Sequence, residues 1–374
     1  MRLAMLLPFV LLVGCTDRHR IDWLPDGMQS PNTRTVFVAT NRMPDEATGA
    51  PGFQRDVDLH YARFDVAIPA DNPPGEVSRP RGGQRFDPSR HFAVEDTTAL
   101  SPAEYSRALA REMAQRPAGQ RDPVIFVHGF NTTFIEGIYR VAQLDNDLSI
   151  PGMLLHYSWP SMGAPLAYAH DRDSVLFARD GLETMIHETL AATPGRLIIV
   201  GHSMGGQLVM EVLRQIAIRG DRALLNRVGG VVLISPDLDI EVFRSQAARI
   251  GPLPQPFLLV SSQRDRILRL SARLTGQSAR LGNLSDAAVI EGLGVTMVDV
   301  SAFSTGAGHF TLGTSPALIE LLGQVGDIEA ALGLEPSGRL PLLPATILTL
   351  QNTTQIILEP LAASGRGQRA ARVE

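Results

Sequence analysis

Between residues 123 and 301 the chain alternates two apolar patterns. Unbroken apolar runs that end in polar or glycine residues recur: "PVIFVHGF", "GMLLHYSWP", "RLIIVGHSMGG", "VGGVVLISPDLD", "PFLLVSSQRDR" and "GVTMVDVS". Such runs read as strands buried on both faces of a parallel sheet. Between them, apolar residues fall at helical spacing around Phe134 to Asp147, in "SVLFARDGLETMIHETLAA" (Ser174 to Ala192) and from Gln207 to Ile218. Strand and helix in alternation predict an α/β sheet covered by helices on both faces. Upstream, "TVFVAT" (Thr35 to Thr40) and "LHYARFDVAIP" (Leu59 to Pro69) read as strands. The charged, Pro- and Gly-containing residues 41–56 read as a loop, as do Pro69 to Pro88. Ser101, Pro102 and Glu104 mark a helix start with a capping box. Downstream, "SPALIELLGQV" reads as a helix, and Thr346 to Leu358 is weakly strand-like within a Pro- and Arg-rich tail.

The first residues follow a different rule. Met1-Arg2 precedes an apolar run from Leu3 to Val13 and then Gly14-Cys15. A positive start and a short apolar region before a small residue make a secretory signal peptide, too short to span a membrane well. "LVGC" resembles the lipobox of bacterial lipoproteins, which implies that Cys15 becomes a lipidated first residue. The expected organisation is a signal peptide at 1–14, a polar tether at 15–33, one catalytic domain at 34–333 and a tail at 334–374. The expected location is the cell envelope, with an acyl anchor in a membrane.

Composition narrows the chemistry. Cys15 is the sole cysteine, which removes disulfide frameworks and cysteine-based zinc sites. All 34 basic residues are arginine, so Schiff-base, Ser-Lys and P-loop lysine mechanisms are excluded. A net charge of −5 without a basic run gives no footprint for nucleic acid. No motif calls for a metal or a nucleotide cofactor.

The chemistry-bearing motif is Gly201-His202-Ser203-Met204-Gly205, set between a buried strand and an amphipathic helix. This is the nucleophile-elbow pattern. The turn is so sharp that Ser203 is expected in a strained conformation, and Gly201 and Gly205 are expected because side chains there would collide with neighbouring elements. A serine needs a base, and in this motif the chain order is serine, acid, histidine. Of nine histidines only His309 follows Ser203. Asp265, after "PFLLVSSQR", is the leading acid. Asp237, with Asp239 in "SPDLD", is the runner-up, and Asp299 reaches less well. The expected oxyanion donors are the amides of Met204 and of Phe130, which follows His128-Gly129; the Asn131 side chain is a weaker candidate. His128 and His202 read as packing residues. Trp159 reads as core or as an acyl-pocket wall, and residues 158–173 as a small lid or a fixed connector.

"HGF", "GHSMG", Asp265 and His309, in that order, resemble the α/β-hydrolase superfamily over about Val124 to Phe310. "VFVATNR", "VHGFNTTF", "SWPSMG", "GHSMGG" and "SPDLD" together are similar to a bacterial α/β-hydrolase family of undefined function, and extend the likeness to about Thr35. The resemblance implies the hydrolase fold and a serine mechanism, not a substrate. The leading reading is a carboxylic-ester hydrolase with a small-molecule or lipid ester as substrate. An amidase, peptidase or acyltransferase with the same triad, and a non-catalytic envelope binding protein, are the competing readings.

Overall fold

The computed structural model describes residues 18–319, apart from residues 47–48, 82–83, 118–119, 149, 151, 277–278, 285, 304–307 and 318, and the backbone of residues 346–352 and 355–360. The expected signal peptide, Cys15 and most of the "SPALIELLGQV" segment lie outside the described residues.

The chain opens with three antiparallel strands: β1 (Thr33–Pro44), β2 (Pro51–Ala67) and β3 (Ala93–Leu100). Helix α1 (Pro102–Gln115) follows, with the Ser101–Glu104 capping box formed at its start. Then come β4 (Pro123–Val127), α2 (Phe134–Leu148), β5 (Met153–Ser158), α3 (Tyr168–Phe177), α4 (Arg179–Ala192), β6 (Leu197–His202), α5 (Met204–Arg219) and α6 (Arg222–Arg227). The remainder is β7 (Val228–Ile234), α7 (Ile240–Ile250), β8 (Phe257–Ser261), α8 (Arg266–Leu274), β9 (Thr296–Asp299), α9 (Thr311–Thr314), β10 (Thr346–Asn352) and β11 (Gln355–Pro360). The strands form one sheet in the order β11-β10-β9-β8-β7-β6-β4-β5-β1-β2-β3, parallel from β1 through β10.

The apolar runs are continuous because each strand is buried on both sides. In β1, Phe37 and Ala39 join one core while Val36 and Val38 join the other; in β4, Ile125 and Val127 oppose Val124 and Phe126 in the same way. The first core is closed by α1, α4, α5 and α7, and the second by α2. No helix among the described residues is long and apolar enough to cross a membrane.

Four expectations change. Residues 41–56 are mostly strand: β1 and β2 continue as a ribbon past Arg42, paired with Arg55, to the Pro44–Pro51 pair. Of the charged residues that marked a loop, Arg42 is fully buried. Edge strand β3 gave no signal because only Ala93 and Val94 are buried along it. The helix expected over 174–192 is two helices, α3 beginning earlier at Tyr168 and the break lying at Ala178, whose carbonyl accepts from the Tyr157 hydroxyl at 2.7 Å. Segments on both sides of residues 34–333 also make contacts with the sheet. The expected tether is a packed strap from residue 18: Trp23 bridges Val94, Leu24 N–H donates to Val94 O, and Val94 N–H donates to Asp22 O. The expected tail contributes β10 and β11 to the sheet.

Candidate active site

Every residue of the expected site sits where a parallel strand ends. Ser203 follows β6, Phe130 follows β4, Asp265 follows β8 and His309 follows β9. Ser203 has φ 53° and ψ −121°, a conformation that L-residues rarely hold and that costs about 1–3 kcal/mol. Three backbone bonds hold it there. Its N–H donates to Ile234 O at 2.9 Å, and its carbonyl accepts from Gly206 N–H at 3.0 Å and Asp237 N–H at 3.1 Å. The expected elbow glycines have steric reasons. A Cβ on Gly205 would lie 2.3 Å from Val127 O, and one on Gly201 would lie 2.8 Å from Gly206 Cα. Among the described residues, Asn131 (φ 57°) and Ser235 (φ 44°) are the other non-glycine residues with positive φ, and they follow β4 and β7. Backbone strain in the described residues therefore gathers at this end of the sheet.

Asp265 is fully buried and works twice. One carboxylate oxygen caps α8 by accepting from Leu268 N–H at 2.9 Å, and the other accepts from His309 Nδ1–H at 2.8 Å. With Nδ1 protonated, neutral His309 has Nε2 as its free base. Phe310 fixes this loop: its ring lies 4.3 Å from that of His202 and 5.4 Å beneath the Arg140 guanidinium. The His309 ring is 4.9 Å from the ring of His202, the residue before Ser203. Among the described contacts no hydrogen bond joins Ser203 to His309, a link that commonly tightens only when substrate is bound. Burial and the neighbouring His309 hold His202 well below the usual histidine range, so it is neutral.

Asp237 faces elsewhere. It pairs with Arg280 Nε at 3.0 Å, both groups buried, and accepts from Ser271 Oγ at 2.6 Å and Tyr168 OH at 2.9 Å. Asp239 caps α7. Asp265, and not Asp237, therefore meets the imidazole.

The loop carrying Phe130 passes close to the serine: a Cβ on Gly129 would lie 2.8 Å from Ser203 Cβ. The amides of Phe130 and Met204 donate to no acceptor among the described contacts. Met204 opens the 16-residue helix α5, whose N-terminus favours negative charge. The Asn131 side-chain oxygen accepts from Arg18 Nη1 at 2.9 Å.

That loop is held by a buried arginine and the groups around it. Arg42 is fully buried, and four of its five N–H donors meet oxygens within 3.0 Å. Nε donates to Ser158 Oγ at 3.0 Å, Nη1 to Gly52 O at 2.9 Å and Ser161 O at 2.8 Å, and Nη2 to Thr132 O at 2.9 Å and toward His128 Nε2 at 3.5 Å. Burial lowers its pKa to about 9, so it stays charged at neutral pH. His128, held neutral by burial and by Arg42, stacks on Trp159 at 4.7 Å, and the Trp159 indole donates to His128 O. Buried Asp171 accepts from Ser161 Oγ at 2.6 Å, Met162 N–H at 2.8 Å and Asn131 N–H at 3.2 Å. Arg18 closes the set from outside, bidentate on Glu136 at 2.7 Å and donating to Asn131 O and Gly163 O at 2.9 Å. The signal was present in "VFVATNR" and "SWPSMG": these stretches contain Arg42, Trp159 and Ser161. Trp159 is thus core, and residues 158–161 are a fixed connector.

A mostly parallel sheet with a strained serine at a strand-to-helix turn defines an α/β hydrolase. The chain belongs to the family described as alpha/beta hydrolase of unknown function (DUF900), whose model matches residues 102–324. No curated protein matches it. Among solved structures, it is similar to a "predicted CIB-like hydrolase" from Thermoplasma acidophilum, at 19% identity and TM-score 0.36 over 57% of this chain and 87% of that one. It is also similar to a Rhizomucor miehei esterase, at 14% identity and TM-score 0.37 over 80% and 83%. A third likeness is to carboxyl esterase 2 of Tuber melanosporum, at 14% identity and TM-score 0.28 over 83% and 79%.

Proposed function

We propose that this α/β hydrolase is a serine hydrolase that cleaves carboxylic esters through an acyl-enzyme. Ser203 Oγ attacks the ester carbonyl carbon while His309 Nε2 takes its proton. The oxyanion accepts hydrogen bonds from the amides of Met204 and Phe130. Collapse breaks the C–O bond, and His309 returns the proton to the leaving alcohol. Water, deprotonated by the same imidazole, then attacks the acyl carbon and releases acid and Ser203. Asp265 keeps the imidazole in the tautomer with Nδ1 protonated and stabilises the imidazolium.

The observation that carries this reading is Ser203 held at φ 53° by three backbone bonds. A structural serine gains nothing from that strain, whereas a nucleophile gains a fixed place at a helix N-terminus. Hydrolysis of p-nitrophenyl esters of graded chain length tests it, with fluorophosphonate labelling of Ser203. Ser203→Ala and His309→Ala should abolish turnover, and turnover that survives both refutes the mechanism.

The same proposal includes export and lipidation at Cys15, supported by the positive start, the apolar run and the "LVGC" that precede the domain. Metabolic incorporation of an alkyne fatty acid that disappears in Cys15→Ser is the expected result. Incorporation unchanged by that substitution refutes it.

A further inference from the structure

Helix α8 begins at Asp265 and divides lengthwise into three sectors. Leu268, Ser271 and Ala272 face inward and are buried. Arg266, Arg269 and Arg273 share a second sector, all exposed. The third sector is apolar and faces water: Ile267 is 38% exposed, Leu270 54% and Leu274 66%. The helix holds no acidic residue, and none of its three arginines, nor Arg264 before it, has an ion-pair partner among the described residues. An arginine stripe beside an exposed leucine stripe is the pattern of a helix lying in a lipid–water interface.

Two neighbours extend this face. Leu166, in the loop after β5, is 98% exposed. Two residues later, the Tyr168 hydroxyl meets Ser271 Oγ on the inner side of α8 at 2.8 Å, and the Tyr168 ring stands edge-on to Phe130 at 5.6 Å. Tyr168 thus links α8 to the loop that carries the candidate oxyanion donor. The strap supplies the second neighbour. Arg18 is fixed to Asn131, Gly163 and Glu136 on the same set of loops. Cys15 lies three residues upstream in the sequence.

We propose that this face, formed by α8, Leu166 and the Arg18 end of the strap, docks on a phospholipid bilayer containing anionic lipid, so that the candidate active site opens toward the membrane surface. Two observations favour a bilayer over a second copy of the chain. A two-fold interface would gather the arginines of both copies into one contact with no acidic residue on either helix to meet them. Four protruding apolar side chains are also few for a protein interface, whereas a bilayer accepts each separately. Docking is independent of lipidation and of catalysis. Its consequence for substrate, an ester presented by a lipid or amphiphile, rests on the hydrolase reading above.

The test uses the full chain with Cys15→Ser, so that no acyl group on residue 15 contributes. Vesicles of phosphatidylcholine with a minor share of phosphatidylglycerol are floated with this chain, with Leu270→Glu/Leu274→Glu added, and with Arg269→Gln/Arg273→Gln added. The parent should co-float. The leucine pair should lower partitioning by about a hundredfold. The arginine pair should remove the preference over pure phosphatidylcholine and its sensitivity to salt. Turnover of a water-soluble p-nitrophenyl ester should stay within about twofold in both variants. Equal partitioning of parent and leucine variant overturns the proposal. So does light scattering that shows a dimer split by the leucine pair with vesicle binding unchanged. Loss of soluble-ester turnover in the parent itself would count against the hydrolase reading and leave docking standing.

Discussion

Gly129→Ala tests whether the Phe130 loop serves the serine. The added Cβ would lie 2.8 Å from Ser203 Cβ and 2.7 Å from His202 Nδ1, where ordinary contact begins near 3.4 Å. Relief requires a displacement of about 0.6–0.7 Å, the difference between those distances. Ser203 cannot yield, because three backbone bonds fix it, and His202 is wedged against the rings of His309 and Phe310. The loop itself must move, and the Phe130 amide moves with it. A donor displaced by that much falls outside good hydrogen-bond range of the oxyanion, and losing one such donor costs about 10²–10³ in kcat. Overpacking also costs about 1–3 kcal/mol of stability, or roughly 2–4 °C in Tm for each kcal/mol. Initial rates on p-nitrophenyl acetate should show kcat reduced about a hundredfold with KM nearly unchanged. Gly220→Ala separates the two effects. It sits at the end of α5 at φ 80° with open space around its Cβ, so it should lower Tm by a few degrees and leave kcat intact. A Gly129→Ala enzyme with kcat within about threefold of the parent would refute the assignment of Phe130.

The two aspartates should fail in opposite ways. Asp265→Asn should cut kcat by at least about a hundredfold through the wrong imidazole tautomer. Asp237→Asn should retain kcat and lose about 3–5 kcal/mol in denaturant titration, because Arg280 is left buried without a counter-charge; the reverse pattern would move the acid to Asp237. His156 is lowered to about 3 by burial, and His128 and His202 lie well below their usual range. These groups take up protons in the unfolded chain near pH 6.5 but stay neutral in the fold. Their contribution to stability is therefore complete above about pH 6.5 and is lost as pH falls, by about 1.4 kcal/mol per unit for each histidine. Urea midpoints at pH 7.5 and 5 should differ accordingly, and equal midpoints would contradict the neutral assignment. Arg42→Lys replaces a planar guanidinium with four donors fixed on oxygens by a three-donor ammonium, and should lower both Tm and kcat, with no recovery of kcat at temperatures where the fold is intact.

The parallel strands were readable because burial on both faces makes them unbroken apolar runs, and Ser203 because its turn tolerates so few neighbours. His309 followed from chain order, and Asp265 from its place after β8. What escaped was set by partners remote in sequence. Arg42 looks like a loop charge until Ser158, Ser161 and Thr132 surround it, and Asp171 looks like a helix-face carboxylate until Asn131 and Ser161 meet it. Edge strand β3 shows mostly solvent-facing side chains, so its apolar content carried no period. The strap is polar in composition, and only its register against Val94 and Glu136 makes it part of the domain.

The docked strap bears on how this enzyme is handled. Proteins are routinely trimmed at the N-terminus to make them easier to produce, and a cut anywhere before β1 looks harmless. Here a cut beyond residue 18 would remove a guanidinium that bonds to Asn131, Gly163 and Glu136 beside the Phe130 loop. A weakly active preparation of that kind would report on the trimming, not on the choice of substrate.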